Sequence, residues 1–382
     1  MRLVGTSLVY NAVKDQVPDV VSRLYHHVPA GVGSSGAIKR LSSGDLRQIL
    51  SKGSRWAIEH GFGKQEDVDF TEEGGCLAGA DPDQVSERAK ERGSPQLGTL
   101  GSGNHFLEMD VVDEILLPEV AETFGLRQGN LCVFIHSGSR GLGYQVCDDY
   151  LAVMAKAMRK YGIQLPDRQL ACSPLHSEEG RQYLAAMACA ANYAWANRQV
   201  MMSLAERAFL EALNISPKEL GFRLVYDVCH NIAKFERHKI NEHEETVCVH
   251  RKGATRAFPP GSQHIPSAYR DVGQPVLIPG DMGTGSWVLA GTRRAMEETF
   301  GSSCHGAGRV KSRTQALKQA QGRDLFQEMK DRGVTLMATG RRTVAEEMPE
   351  AYKNVDAVVE AIAMAGISQK VARLRPVGVI KG

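Results

Sequence analysis

The stretch Gly301-Ser302-Ser303-Cys304-His305-Gly306-Ala307-Gly308-Arg309 is the point from which the rest of the chain is read. One histidine stands among small residues, and an arginine follows. Glycine lets backbone approach a ligand closely and adopt conformations closed to other residues. A loop of this kind can turn N–H groups toward an anion. An imidazole held there with a guanidinium nearby suits the holding or attack of phosphate. A tight turn around a buried histidine fits the same residues, and both readings stay open from this stretch alone.

Outward from it, histidine recurs where short apolar strands begin or end. His105 precedes Phe106-Leu107, and His136 follows Leu131–Ile135. His230 follows Leu224–Val228, and His250 follows Thr246–Val249. Strand ends bring side chains from distant parts of the chain to one mouth, a common way to build a metal site. Imidazole suits Zn, Mn, Fe and other first-row ions, so spacing does not name the metal. Asn104 and Asn231 neighbour two of these histidines and can bind a ligand or cap a turn. Arg140, Arg251, Lys252, Arg256 and Arg309 fall in loops after strands or beside glycine turns. Together they are expected to line a groove for phosphates, with binding that weakens as salt rises.

The chain has 382 residues, 42% of them hydrophobic, enough for a large core. Its net charge of +2 excludes a global basic field, so any nucleic-acid surface must be a local patch. Eight cysteines occur with no C-x-x-C spacing, several inside apolar runs such as Leu131-Cys132-Val133 and Val247-Cys248-Val249. They read as small core residues in a reducing compartment. No signal peptide or membrane span is read, and a cytoplasmic protein is expected.

In order, the chain reads as a strand over Met1–Leu8, helical spacing over Asp15–His27, and a glycine loop over 28–36. Helices follow at Ser43–Lys52 and Arg55–His60. Residues 62–98 read as loop with one helix near 84–91. A helix carries Val146, Tyr150, Met154, Ala157 and Tyr161 on one face. Ser177 caps a long helix running to about Leu213. Strands are expected over Gln274–Pro279, Trp287–Gly291 and 334–338. Helices are expected near 312–321, 323–332 and 353–366, followed by a tail from Leu374. The composition gives an α+β protein, read as a single domain over 1–382.

The strings GSGNHF, HSGSRGLG, VYDVCHNIAK, VHRKGATRAFPPG, DVGQPVLIPGDMGT, ETFGSSCHGAGR, AYKNVD and VGVIKG, in that order, resemble those of the RtcB-type RNA ligases. The resemblance runs from about residue 2 to 382. It implies a multi-sheet fold with surrounding helices and a central metal and nucleotide cleft. It implies an enzyme that joins RNA 2′,3′-cyclic phosphate or 3′-phosphate ends to 5′-hydroxyl ends, in tRNA splicing or RNA repair. It also implies manganese and GTP, with GMP carried on a histidine. By motif, His305 is that nucleophile, and His105, His136 and His230 are the manganese ligands. Asn104, Glu108, Asn231, Tyr352 and Lys381 are nucleotide contacts, with the loop Gly280, Asp281, Met282, Gly283 and Thr284, and Gly306, Ala307 and Gly308 beside the nucleophile. Arg140 and Arg309 meet phosphate or RNA. His250 is expected not to be a ligand. The partners implied are RNA, including tRNA halves, and an archease-type activator, and a monomer is expected.

Two departures stand out. The family's loop before Met282 usually carries Ser, and Asp281 here adds negative charge. The family also has an upstream D-x-x-C-G segment with Asp and Cys manganese ligands, and the match begins just after it. The expectation is therefore one well-held metal at most and weak guanylylation, with Cys229 the first candidate for a substitute ligand. The alternative is a catalytically impaired RtcB-like RNA- or nucleotide-binding protein. A histidine metallophosphoesterase on an unrelated fold is a third reading, which would need neither GTP nor Lys381.

Overall fold

The structure, a computed structural model, describes residues 1–39, 41–167 and 170–382. Its strands are β1 (Arg2–Val9), β2 (Phe106–Ile115), β3 (Asn130–His136), β4 (Arg223–Asp227), β5 (Asn231–Ile240) and β6 (His243–Lys252). They continue as β7 (Ala254–Arg256), β8 (Pro275–Ile278), β9 (Ser286–Gly291), β10 (Ser302–Cys304), β11 (Thr335–Ala338) and β12 (Ser368–Lys381). One eight-stranded sheet runs in the order β4-β1-β3-β2-β12-β9-β8, with β11 pairing alongside β12. The pairs β5–β6 and β7–β10 form two small sheets apart from it. Together with the helices this is the α+β architecture read from the sequence.

The sheet is covered on both faces. Along β2, Leu107, Met109 and Val111 pack into one core, while Phe106 and Val112 pack into another. A strand buried on both sides reads as a near-continuous apolar run. Glu108 and Asp110 interrupt that run and are buried all the same. The main helix, Glu178–Leu213, lies against the first core and is capped as expected: Ser177 Oγ accepts from Gly180 N at 3.0 Å. It ends at Asn214, whose φ of 51° provides a left-handed cap.

A polar row on this helix holds the loops that carry the histidines. Asn197 Oδ1 accepts from Gly98 N at 2.7 Å and Thr99 N at 3.2 Å, fixing the approach to His105. Arg198 donates through Nε and Nη2 to Asp227 at 2.6–3.0 Å, and through Nη1 to Ser137 O at 3.0 Å. Arg2 Nε donates to the same carboxylate at 2.7 Å. All three charged side chains are buried. Burial alone would push the Asp227 carboxyl up, but Arg198 and Arg2 outweigh it and hold it below the usual carboxylate range.

Several elements depart from the sequence reading. The supposed tail is β12, the longest strand, paired with β2, β9 and β11. Residues 231–252 form a full hairpin, β5–β6, where only 246–250 reads as strand. Its two-residue turn is Asn241-Glu242, with φ of 47° and 70°. Such a turn suits a hairpin, but the arms are so polar that no alternation marks them. The short helices Tyr10–Val13, Pro118–Phe124, Pro217–Leu220, Arg293–Thr299 and Arg341–Glu346 have no counterpart in the sequence reading. Tyr161, read on one helix face with Val146, lies just past the end of that helix and is exposed. Residues 62–98 hold three short 3-10 turns before the helix Glu87–Gly93. Cys132, Cys189 and Cys229 are core residues, whereas Cys248 is part-exposed and Cys147 exposed. Among the described residues no helix is long and apolar enough to cross a membrane.

Removing the shared carboxylate leaves two guanidiniums buried and unpaired. Asp227→Asn should cost about 3–5 kcal/mol of unfolding free energy. Urea unfolding measures this, and a loss below about 1 kcal/mol, the size expected of an exposed pair, would contradict the role given to it.

Candidate active site

The fold brings four histidines into one row. His105 leads into β2, His136 ends β3, His230 lies between β4 and β5, and His305 follows β10. Ring centroids are 5.9 Å apart for His105–His136, 5.1 Å for His136–His230 and 4.6 Å for His230–His305. The last pair is stacked face to face, with 3° between the planes. Phe106 packs edge-on against His136, fixing one wall.

Burial sets the charge state of the row. It pulls His105 down to about 3, with Arg140 and Lys381 adding to the effect. His136 and His230 are held well below the ordinary imidazole range by burial first and by neighbouring charges and rings second. Neutral imidazoles offer lone pairs, the state a metal requires. His105 Nδ1 is buried without a hydrogen-bond partner among the described residues. These features fit a divalent first-row ion held by His105, His136 and His230. Among the described residues, however, no three His, Cys, Asp or Glu side chains are already drawn together closely enough to hold a metal.

His305 is positioned by backbone. β10 pairs with β7, setting Cys304 opposite Ala254, and this seats His305 against Gly253. Gly253 has φ of +65°, and a Cβ there would stand 3.3 Å from His305 Cε1 and 3.4 Å from Nδ1. A larger residue would be strained and would crowd the ring. Burial lowers the His305 pKa, and a hydrogen bond to the Gly253 backbone works in the opposite direction. Of the two ring nitrogens, Nδ1 is the one nearer Gly253.

The cleft beside His305 encloses about 210 Å³. Asn104, Glu108, Gly280, Asp281, Met282, Gly306, Ala307, Gly308, Arg309, Tyr352 and Lys381, all read as nucleotide or phosphate contacts, line it, and so does His136. Lys381 Nζ donates to Gly103 O at 3.0 Å and lies 5.7 Å from the Phe106 ring centre. Burial lowers its pKa, and the nearby Glu347 and Glu108 carboxyls oppose that shift. Burial and the neighbouring Asp110 raise Glu108 well above the carboxylate range. Burial also pushes Asp110 up to about 7. Asp281 is spent locally: Oδ1 accepts from Gly283 N at 2.9 Å and Oδ2 from the Thr284 hydroxyl at 2.7 Å. It therefore holds the turn Asp281–Thr284 while lining the cleft.

Other expected residues lie elsewhere. Asn231 and His230 line an adjoining cavity of about 500 Å³, where Asn231 Oδ1 accepts from Gly253 N at 3.1 Å. Gly283 and Thr284 are not in the cleft lining. Arg140 has φ of 50° and is tied to Thr99 Oγ1, Gly31 O and Ser34 Oγ, beside His105 but outside the cleft. Arg309 faces the cleft, but its donors are committed to Lys311 O, Glu346 O, Glu347 and Tyr352. The groove expected of Arg251 and Arg256 does not form. Both are buried, Arg251 paired with Glu236 and Arg256 with Glu73 and Gln274. Buried guanidiniums need such partners, and the polar hairpin and the loop at Glu72-Glu73 supply them. Cys229 is buried, its thiol pushed up to about 11 chiefly by burial. His250 is exposed on β6. Glu347 and Arg313 line the cleft and were missed. Each is a charged residue in a polar helical stretch, and that sequence context marks only a solvated face.

The neutral histidines link stability to pH. A folded-state pKa near 3 for His105, against 6.5 free, means the unfolded chain takes up a proton that the folded chain refuses. The contribution is complete above 6.5 and falls toward 3, by about 1.4 kcal/mol per pH unit for one such group. His136 and His230 shift in the same direction. Urea unfolding between pH 7.5 and 4.5 should show this fall, and His105→Gln should flatten it. An unchanged slope would contradict the burial of a neutral ring.

The same chain has clear relatives. A family model described as tRNA-splicing ligase RtcB matches residues 1–382. The chain is 54% identical over 382 residues to the tRNA-splicing ligase RtcB of Pyrococcus abyssi, covering all of this chain and 42% of that protein. It is 53% identical to that of Pyrococcus furiosus, covering 39% of it, and 52% identical to that of Archaeoglobus fulgidus, covering 79% of it. The chain thus spans less than half the length of the two Pyrococcus relatives. Similarity of this depth over the full length of the chain leaves one assignment: the chain belongs to the tRNA-splicing ligase RtcB family.

Proposed function

We propose that this chain is an RNA ligase that seals the ends left by RNA cleavage, with tRNA halves among its substrates; the relatives that support this reading are named tRNA-splicing ligases. It joins a 2′,3′-cyclic phosphate or 3′-phosphate end to a 5′-hydroxyl end, using GTP. The observation that carries this reading is the seating of His305, stacked on His230 at the edge of a cleft that holds Lys381, Glu108 and Tyr352.

The chemistry follows from that seating. His305 is neutral, and the Gly253 backbone holds its Nδ1 side. Nε2 attacks the α-phosphorus of GTP, an N–P bond forms, and the bond to pyrophosphate breaks. The phosphoramidate stores GMP in activated form. An RNA 3′-phosphate oxygen then takes the guanylyl group and returns the histidine. Finally the 5′-hydroxyl attacks the activated 3′-phosphorus, the phosphodiester forms, and GMP leaves. A cyclic phosphate end must first be opened by water. His105, His136 and His230 would hold manganese, which when bound offsets the negative charge of the phosphates. Lys381 sits where it can face the nucleotide; burial lowers its ammonium pKa, and the Glu347 and Glu108 carboxyls oppose that shift.

Incubation with labelled GTP and Mn²⁺ should give a covalent band on denaturing electrophoresis, labile to acid and stable to base. His305→Ala should abolish it. His105→Ala, His136→Ala or His230→Ala should lower bound manganese and adduct together. A band that persists in His305→Ala would assign the nucleophile elsewhere, and full manganese content after loss of all three ligands would remove the metal site.

A further inference from the structure

Glu347 is the buried charge at the cleft that the chemistry above leaves without a direct partner in the reaction. It follows the short helix Arg341–Glu346, and its side chain is fully buried. Its two oxygens are used unequally. Oε2 accepts from Arg309 Nη1 at 3.1 Å and from the Tyr352 hydroxyl. Oε1 is buried and accepts no hydrogen bond from any described residue. Arg313 Nε stands 3.6 Å from it, beyond hydrogen-bond reach, on a side chain that is more than half exposed. Gly103 lies next to that guanidinium: a Cβ there would stand 3.1 Å from Arg313 Nη2 and 3.9 Å from Glu347 Oε1.

A carboxylate oxygen left bare in a protein interior is costly. This one belongs to a residue that lines the nucleotide cleft, and its twin oxygen is already saturated by two donors. What it lacks is a hydrogen-bond donor. The phosphates of a nucleoside triphosphate carry acceptor oxygens at neutral pH, and a carboxylate facing them would repel. The donors of GTP are all on the nucleoside: the ribose hydroxyls and the N–H groups of the base. We propose that Glu347 Oε1 accepts a hydrogen bond from the nucleoside half of the bound nucleotide, making Glu347 a specificity-determining residue. This rests on the guanine-nucleotide reading given above and deepens it. It also orients the nucleotide. Base and ribose lie against Glu347 and Tyr352, and the phosphates point toward His305. Arg309, held over the Tyr352 ring at 5.0 Å, backs that wall.

The test is a binding cycle between protein and ligand, measured by calorimetry with Mn²⁺ in a His305→Ala background, where no covalent step competes. The ligands are GTP, 2′,3′-dideoxyGTP, inosine triphosphate and 1-methyl-GTP, the analogues lacking in turn the ribose hydroxyls, the 2-amino group and the N1–H of the base. With Glu347 present, one analogue should bind about ten-fold or more weakly than GTP, the size expected for a hydrogen bond to a charged acceptor. In Glu347→Ala that particular penalty should vanish while the others persist, which names the donor. Glu347→Gln keeps the shape and an acceptor oxygen, and serves if the alanine variant does not fold. In it the same penalty should shrink several-fold. Tyr352→Phe, which strips only the Oε2 side, should leave the penalty intact. Equal weakening of all four ligands by Glu347→Ala, or an undiminished penalty in Glu347→Gln, would mean that Glu347 only props Arg309 and Tyr352. That result would overturn the inference and leave the ligase reading standing. Failure of all four ligands to bind with Glu347 intact would overturn both.

Discussion

The site depends on one buried interaction, the pairing of Arg198 with Asp227. Arg198 projects from the middle of the helix Glu178–Leu213, and Asp227 ends β4, three residues before His230. The same guanidinium bonds Ser137 O, one residue beyond His136. A single side chain thus fixes the exits of β3 and β4, the two strands that deliver neighbouring rings of the histidine row. Buried ion pairs contribute little to net stability when compared with apolar packing, but they are specific about geometry, and breaking one is expensive. Here that specificity falls where two imidazoles must stand 5.1 Å apart.

From this anchor the charge pattern of the cleft follows. Its floor is strand β2, covered on both faces, so Glu108 and Asp110 are carboxyls in an apolar layer and are driven toward their neutral forms. Lys381 enters the same layer from β12, through the register that sets it opposite Phe106. The wall is organised differently. Glu347 is surrounded by Arg309, Tyr352 and Arg313, so negative charge is concentrated on one carboxylate among donors. Floor and wall meet at Lys381, where burial lowers the ammonium pKa and the nearby Glu347 and Glu108 oppose that shift.

Much of the site was legible in the sequence because its signals are local. Histidines at the ends of short apolar strands, a glycine run around His305, and a cap at Ser177 each declare themselves within a few residues. What escaped was fixed by tertiary contact. The hairpin β5–β6 carries Lys234, Glu236, Arg237 and Arg251 on arms with no apolar alternation, so nothing nearby marks it as sheet. Arg251 and Arg256 read as free cations after strands, yet the carboxylates that claim them come from β5 and from residues 72–73. Glu347 is written beside Glu346 just past the end of a polar helix, and only the fold reveals that it is buried and Glu346 is not. Arg140, expected at phosphate, is consumed in joining the loop at Gly31 to the strand approach at Thr99.

The central claim is that His305 Nε2 faces the α-phosphate of a nucleotide held between the floor at Glu108 and the wall at Glu347. A crystal structure of the chain with a non-hydrolysable GTP analogue and Mn²⁺ tests it most directly. The account predicts the α-phosphorus about 3–3.5 Å from Nε2 and in line with the leaving oxygen, with His105, His136 and His230 on the metal. A nucleotide bound outside this cleft, or with its nucleoside toward the histidine row and its phosphates against Glu347, would contradict it.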